Sequence, residues 1–191
     1  MPQGRESTMP PLELWESFFD SAGILESLGC RDVHGDLVEF GCGYGSFTVA
    51  AAARVSGTVY ALDIDPVMVA ATADRVAHAG LRNVVVELRD FVSDGAGRPD
   101  GTAAFGMLFN ILHIEDPVSL LREAHRVIRA GGALGVIHWK RDANTPRGPP
   151  LDIRPRPEQC RVWGEEAGLR WVRYQDLPGS PWHWGMVFER P

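Results

Sequence analysis

Between residues 36 and 46 the chain runs from a short β-type segment, Asp36-Leu37-Val38-Glu39-Phe40, through Gly41, Gly43 and Gly45, into the alanine-rich stretch 46–55. Glycines let a backbone turn through conformations closed to other residues and let a ligand approach the main chain. A helix start behind them presents unpaired amide groups. A strand, a tight glycine turn and a helix in that order form the opening unit of a parallel, doubly wound sheet.

The alternation continues. Residues 58–62 are β-rich, and Pro66 starts a helical pattern that runs to residue 79 and stops at Gly80. Val84-Val85-Val86 reads as a buried strand, and residues 104–109 as another. Residues 117–128 form an amphipathic helix closed by Gly131-Gly132, and a strand covers 133–139. Upstream, residues 12–29 carry apolar side chains at helical spacing, with a break at Gly23; residues 1–11 read as a flexible arm. Downstream, 140–157 holds five prolines and reads as a long loop. A helix at 157–168 and strands at 170–175 and 182–189 follow, the strands paired as an antiparallel hairpin at one sheet edge. Residues 12–191 are read as one domain, as expected for 191 residues with 45% hydrophobic and 23% charged side chains.

Ligands of such sheets bind beyond the carboxyl ends of the strands. The first such end carries Glu39 and the turn Gly41-Cys42-Gly43-Tyr44-Gly45. The dinucleotide fingerprint requires its third glycine three residues after the second; Ser46 stands there instead. No Gly-Lys-Ser/Thr follows, so a nucleoside triphosphate loop is excluded. Glu39 beside the turn would repel a pyrophosphate but suits a cationic sulfonium or ammonium group. The second strand ends in Asp63, placed to accept from both hydroxyls of a ribose, while Asp65 caps the helix beginning at Pro66. The third ends before Arg89-Asp90-Phe91: Asp90 can accept from an adenine amino group while Phe91 or Ile64 packs on the ring.

Taken together, the stretches VEFGCGYGSFTVAAA, VYALDIDPVMVAAT, NVVVELRD, MLFNILHIEDP and LLREAHRVIRAGGALGVIHW, over residues 37–139, resemble a class I S-adenosylmethionine-dependent methyltransferase of the small bacterial, ubiquinone/menaquinone-methyltransferase-like type. The resemblance implies an α/β fold with a doubly wound, seven-stranded, mostly parallel sheet of order 3-2-1-4-5-7-6, strand 7 antiparallel and helices on both faces. It implies S-adenosylmethionine as cofactor and S-adenosylhomocysteine as product. Carried over, Glu39, Gly41 and Gly43 hold the methionine part, with Cys42 and Tyr44 in the same loop. Asp63 holds the ribose, Ile64 and Met68 flank the adenine, Asp90 and Phe91 meet its edge and face, and Asn110 reaches the methionine amino group. The stretch HWKRDANTPRGPP resembles a bacterial subset of these enzymes whose acceptors are mostly unassigned.

The acceptor side is less defined. His113, after the fourth strand, is the candidate base or substrate contact, and Tyr44 could border the acceptor. Alternation points His138 and Lys140 to one sheet face and Trp139 to the other. Trp182, His183 and Trp184 could shape a pocket or a dimer face. Arg147, Arg154, Arg156 and Arg161 form a basic cluster that could attract a carboxylate or phosphate, or simply be solvated. Cys30, Cys42 and Cys160 match no zinc spacing, and no metal ligand set is assigned. A metalloid methyltransferase would need the three thiolates to converge. A cofactor-binding protein without turnover and a nicotinamide-dependent oxidoreductase are the rival functions for such a sheet. With a net charge of -6, nucleic acid is not an expected partner. Unpaired cysteines and the lack of a signal or membrane segment point to the cytoplasm, and to a monomer or homodimer acting on a small molecule.

Overall fold

The computed structural model describes residues 9–142 and 144–191. Most of the expected flexible arm, residues 1–8, lies outside the described residues. The sheet has seven strands in the order β3-β2-β1-β4-β5-β7-β6. They are β1 (Asp36–Phe40), β2 (Val59–Asp63), β3 (Val84–Leu88), β4 (Ala103–Phe109), β5 (Ile128–Trp139), β6 (Arg170–Gln175) and β7 (His183–Glu189). Neighbours are parallel except at β7, which is antiparallel to both β5 and β6. This is the order and sense expected from the resemblance, with the hairpin at the sheet edge.

Among the described residues six α-helices accompany it: α1 (Leu12–Glu16), α2 (Ser21–Ser27), α3 (Ser46–Ala52), α4 (Pro66–His78), α5 (Pro117–Val127) and α6 (Pro157–Glu166). Alternation along the strands sorts side chains to two cores. Val38 and Phe40 of β1, Leu134 and Val136 of β5, and Met186 and Phe188 of β7 pack with Leu120, Leu121 and Ala124 of α5 and Cys160 of α6. Leu37, Val59, Met107, Ile137 and Val187 pack on the opposite face with Ile24 and Leu25 of α2 and Phe47 and Ala51 of α3. Phe40, Phe105 and Phe188 are fully buried; burying such a side chain contributes roughly 1.5–3 kcal/mol.

Three local expectations need correction. The N-terminal helical stretch breaks after Glu16, not at Gly23; Asp20 caps α2 by accepting from the Gly23 amide, which places that glycine in the first turn. The valine run of β3 is not a buried strand. β3 is the outer strand of the sheet, and Val85 is 40% and Leu88 60% exposed. β5 starts at Ile128, before Gly131-Gly132, because Ile128 already pairs with Ala103 and the register then shifts. Among the described residues no helix is long and apolar enough to cross a membrane.

Candidate functional site

The glycine turn is held from three sides. The Gly41 and Cys42 amides both donate to the Leu62 carbonyl at the end of β2, at 2.8 and 2.9 Å. The Gly43 amide donates to Asp63 Oδ2 at 2.9 Å, and Asp63 Oδ1 accepts from the Asp65 amide at 3.0 Å. From α4, Thr72 Oγ1 donates to the Gly43 carbonyl at 2.7 Å, while Arg75 donates to the Tyr44 carbonyl and to Ser46 Oγ and pairs with Glu16. Gly45, with φ of 75°, occupies the left-handed region and launches α3; glycine adopts that conformation without the steric penalty of a side chain. As the spacing predicts, Asp65 caps α4 by accepting from the Val67 amide at 2.8 Å.

A cleft of about 370 Å³ opens above this turn, within the range typical of small-molecule sites. Of the residues expected from the sequence, Glu39, Gly41, Cys42, Gly43, Asp63, Ile64, Phe91, Asn110 and His113 line it. Tyr44, Met68 and Asp90 do not. The Tyr44 hydroxyl donates to the Pro10 carbonyl at 2.8 Å, so this side chain ties the N-terminal segment to the loop. Met68 is buried in α4. Asp90 Oδ1 accepts from the Val92 and Ser93 amides at 3.2 and 3.1 Å, closing the turn after β3.

Glu39 shares its strand face with Leu37, so it points toward α3, where Thr48 Oγ1 donates to Glu39 Oε2. The carboxyl group is 3% exposed, and burial raises its pKa to about 8; the nearby Asp63 pushes in the same direction, and the Thr48 hydrogen bond opposes both. Asp63, 7% exposed, is also raised, chiefly by burial. Asn110, at the end of β4, has a left-handed φ of 59°, and both polar atoms of its side chain are buried without a partner. A non-glycine residue in that region is strained, and such strain concentrates at functional sites. Two buried acids and an orphaned amide around exposed backbone fit a cationic amino acid joined to a ribose.

Apart from Trp139 and Arg147, which the sequence offered as candidates on the acceptor side, the walls were not expected from the sequence. Met9, Pro10 and Trp15 line the cleft from the N-terminal side, Phe47, Phe109 and Ile111 from the middle, and Trp139, Arg147, Gly148 and Pro149 from the far side. The proline-rich loop is folded around Arg154. Its Nε donates to the Pro149 carbonyl at 2.7 Å, Nη1 to the Lys140 carbonyl and Thr145 Oγ1 at 2.9 and 2.5 Å, and Nη2 to the Arg147 carbonyl at 3.1 Å. Arg154 therefore clasps its own loop and does not serve a basic cluster. Arg161 stacks over Trp171 and pairs with Glu165.

The thiols do not converge. Cys30 and Cys160 sit in separate cores on opposite faces of the sheet, and Cys42 is at the cleft. Burial raises the pKa of all three, that of Cys30 to about 12. Among the described residues no group of three or more His, Cys, Asp or Glu side chains could hold a metal ion. The three-thiolate metalloid reading is thereby overturned.

The profile of the methyltransferase domain family matches residues 37–132, half of the chain. The chain belongs to the class I S-adenosylmethionine-dependent methyltransferases. A search of the curated proteins finds no match. Among solved structures, the methyltransferase is similar to an S-adenosylmethionine-dependent methyltransferase from Aquifex aeolicus. The two are 25% identical with a TM-score of 0.81, over 95% of this chain and 94% of the other. A geranyl diphosphate methyltransferase in complex with S-adenosylmethionine shares the fold at 17% identity and a TM-score of 0.73, covering 94% of this chain and 87% of that one. So does geranyl diphosphate C-methyltransferase from Streptomyces coelicolor A3(2), at 14% identity and a TM-score of 0.72, covering 90% and 76%. The nicotinamide-dependent function is thereby set aside.

Proposed function

We propose that the cleft holds S-adenosylmethionine with its methionine part against Glu39 and the glycine turn, and delivers its methyl group to a small-molecule acceptor. The observation that carries this reading is Glu39: a carboxyl group almost entirely out of water, in the cleft wall, held by a hydrogen bond from Thr48. A buried carboxylate is costly unless paired, so the site favours a ligand that brings positive charge. Bound there, S-adenosylmethionine supplies a methyl group activated by its sulfonium.

The Gly41 and Gly43 backbone lets the methionine part approach, and the orphaned Asn110 amide takes its amino group. Asp63 accepts from the ribose hydroxyls with the lone pairs left free by the Gly43 and Asp65 amides. Ile64 and Phe91 face the adenine across the cleft, and Asp90 shapes the turn that carries Phe91. The N-terminal segment and the Arg154-clasped loop narrow the opening, which supports a compact acceptor and helps exclude water. His113 is the acceptor-side contact.

Calorimetric titration with S-adenosylhomocysteine tests these roles. Glu39→Gln, Asp63→Ala and Asn110→Ala should each weaken binding at least tenfold. Unchanged affinity in all three would overturn the placement.

A further inference from the structure

Two imidazoles meet at the acceptor end of the cleft. His113 lines the cleft, and His138 on β5 is wholly buried. His113 Nδ1 lies 3.2 Å from His138 Nε2, and His138 Nδ1 lies 3.4 Å from the Trp139 carbonyl oxygen. A carbonyl oxygen only accepts, so His138 Nδ1 carries a hydrogen. A neutral imidazole has one N–H, so His138 Nε2 is a bare lone pair. The hydrogen between the rings then belongs to His113 Nδ1, and His113 Nε2 keeps its lone pair. The Nδ1 contact with His138 is the side-chain hydrogen bond found for His113 among the described residues, and its Nε2 is not among the buried unpartnered atoms.

The surroundings keep both rings neutral. Burial lowers the His138 pKa well below the ordinary histidine range, and the neighbouring His113, His183 and Arg154 oppose its protonation further. Burial, followed by the Arg154 charge, brings His113 to about 4. Trp184 stacks on His138 at 6.0 Å with 24° between the ring planes, which fixes the orientation of the buried ring.

We propose that His138 is a positioning residue that holds His113 in its Nδ1–H form, so that His113 Nε2 accepts a hydrogen bond, and then the proton, from an acceptor whose nucleophilic oxygen carries hydrogen. The inference rests on the methyl-transfer reading above and narrows its acceptor to hydroxyl compounds. The acceptor lone pair forms the bond to the methyl carbon, the pair of the broken carbon–sulfur bond stays on sulfur, and the acceptor proton passes to His113 Nε2 and on to solvent. A weakly basic imidazole suffices, because a hydroxyl oxygen becomes strongly acidic as its new bond to the methyl carbon forms.

The tautomer is read directly from long-range proton–nitrogen correlation spectra of 15N-labelled protein at pH 7, with His113 assigned from its loss in His113→Gln. Wild-type His113 should show a protonated Nδ1 and a bare Nε2. His138→Gln, whose amide oxygen can accept from His113 Nδ1, should preserve that pattern; His138→Leu should shift His113 toward the Nε2–H form preferred by free histidine. A protonated Nε2 in the wild type would overturn the relay. With S-adenosylhomocysteine bound, added phenol should move the His113 Nε2 resonance and anisole should not. An equal response to anisole, or none to phenol, would overturn the acceptor class. Binding of S-adenosylhomocysteine is measured on the same samples. Its absence would count against the methyl-transfer reading, whereas binding with the wrong tautomer would remove only the relay.

Discussion

Thr48 Oγ1 lies 2.5 Å from Glu39 Oε2 and donates to it, the side chain of one helix reaching a strand end in a space closed to water. That bond is the main local support for charge on a carboxyl group that burial keeps largely protonated at neutral pH.

The first consequence is a pH dependence. With its pKa raised to about 8, free Glu39 gives up a proton when a cationic ligand binds beside it. Affinity for S-adenosylmethionine should therefore climb as pH rises from 6 to 8, by up to about tenfold per unit for one linked proton, and level off above. Glu39→Gln should flatten that part of the profile. Stability of the free protein should run the opposite way. Between the ordinary carboxyl range and about 8 the folded state binds the extra proton, so this group's contribution falls as pH rises through that window. Titration calorimetry and thermal melts from pH 5.5 to 8.5 measure both.

Thr48→Val removes the donor and keeps the shape. The Glu39 pKa should rise further, and S-adenosylmethionine should bind roughly 10–150-fold more weakly at pH 7, in line with about 1.5–3 kcal/mol for a hydrogen bond to a charged group. At pH 9 the deficit should shrink. An equal deficit at both values would mean that Thr48 acts through packing alone.

Arg154 should be needed for the far wall of the cleft and dispensable for the cofactor. Arg154→Lys loses the planar fork that serves the Lys140, Arg147 and Pro149 carbonyls together. It should destabilise the protein by about 2 kcal/mol and open the 140–157 segment to proteolysis. Affinity for S-adenosylhomocysteine should change less than threefold. Limited proteolysis and calorimetry on the same sample separate the two effects.

Gly164 on α6 faces Phe188 of β7, and a Cβ there would sit 2.3 Å from the ring. Gly164→Ala gains roughly 1 kcal/mol of helix propensity but overpacks a fully buried contact, which typically costs about 1–3 kcal/mol. Net destabilisation is expected in denaturant melts, with partial recovery on adding Phe188→Leu.

The sequence carried the main features wherever the physics is local. The glycine turn after β1, the Asp65 cap and Asp63 at a strand end all follow from spacing, and the strand order followed from resemblance. Long-range features stayed hidden. Val84-Val85-Val86 has a core composition, yet β3 is an outer strand, and only topology distinguishes the two positions. Arg154 meets oxygens on residues 140, 145, 147 and 149 because the loop closes on itself, a relation with no periodicity. His113 and His138 are 25 residues apart and meet only because β4 and β5 are adjacent. Tyr44 stood in the right loop but its hydroxyl bonds the Pro10 carbonyl, a contact that a motif does not encode.

The most direct test is a thermal melt of the purified protein alone, with S-adenosylhomocysteine and with NAD. At about one hundred times its dissociation constant a ligand stabilises by roughly 2.7 kcal/mol, which for a domain of this size is about 5–10 °C. The expected result is a shift of that size with S-adenosylhomocysteine, none with NAD, and loss of the shift in Asp63→Ala. No shift at saturating S-adenosylhomocysteine, or a shift with NAD alone, would contradict the cleft as the cofactor site.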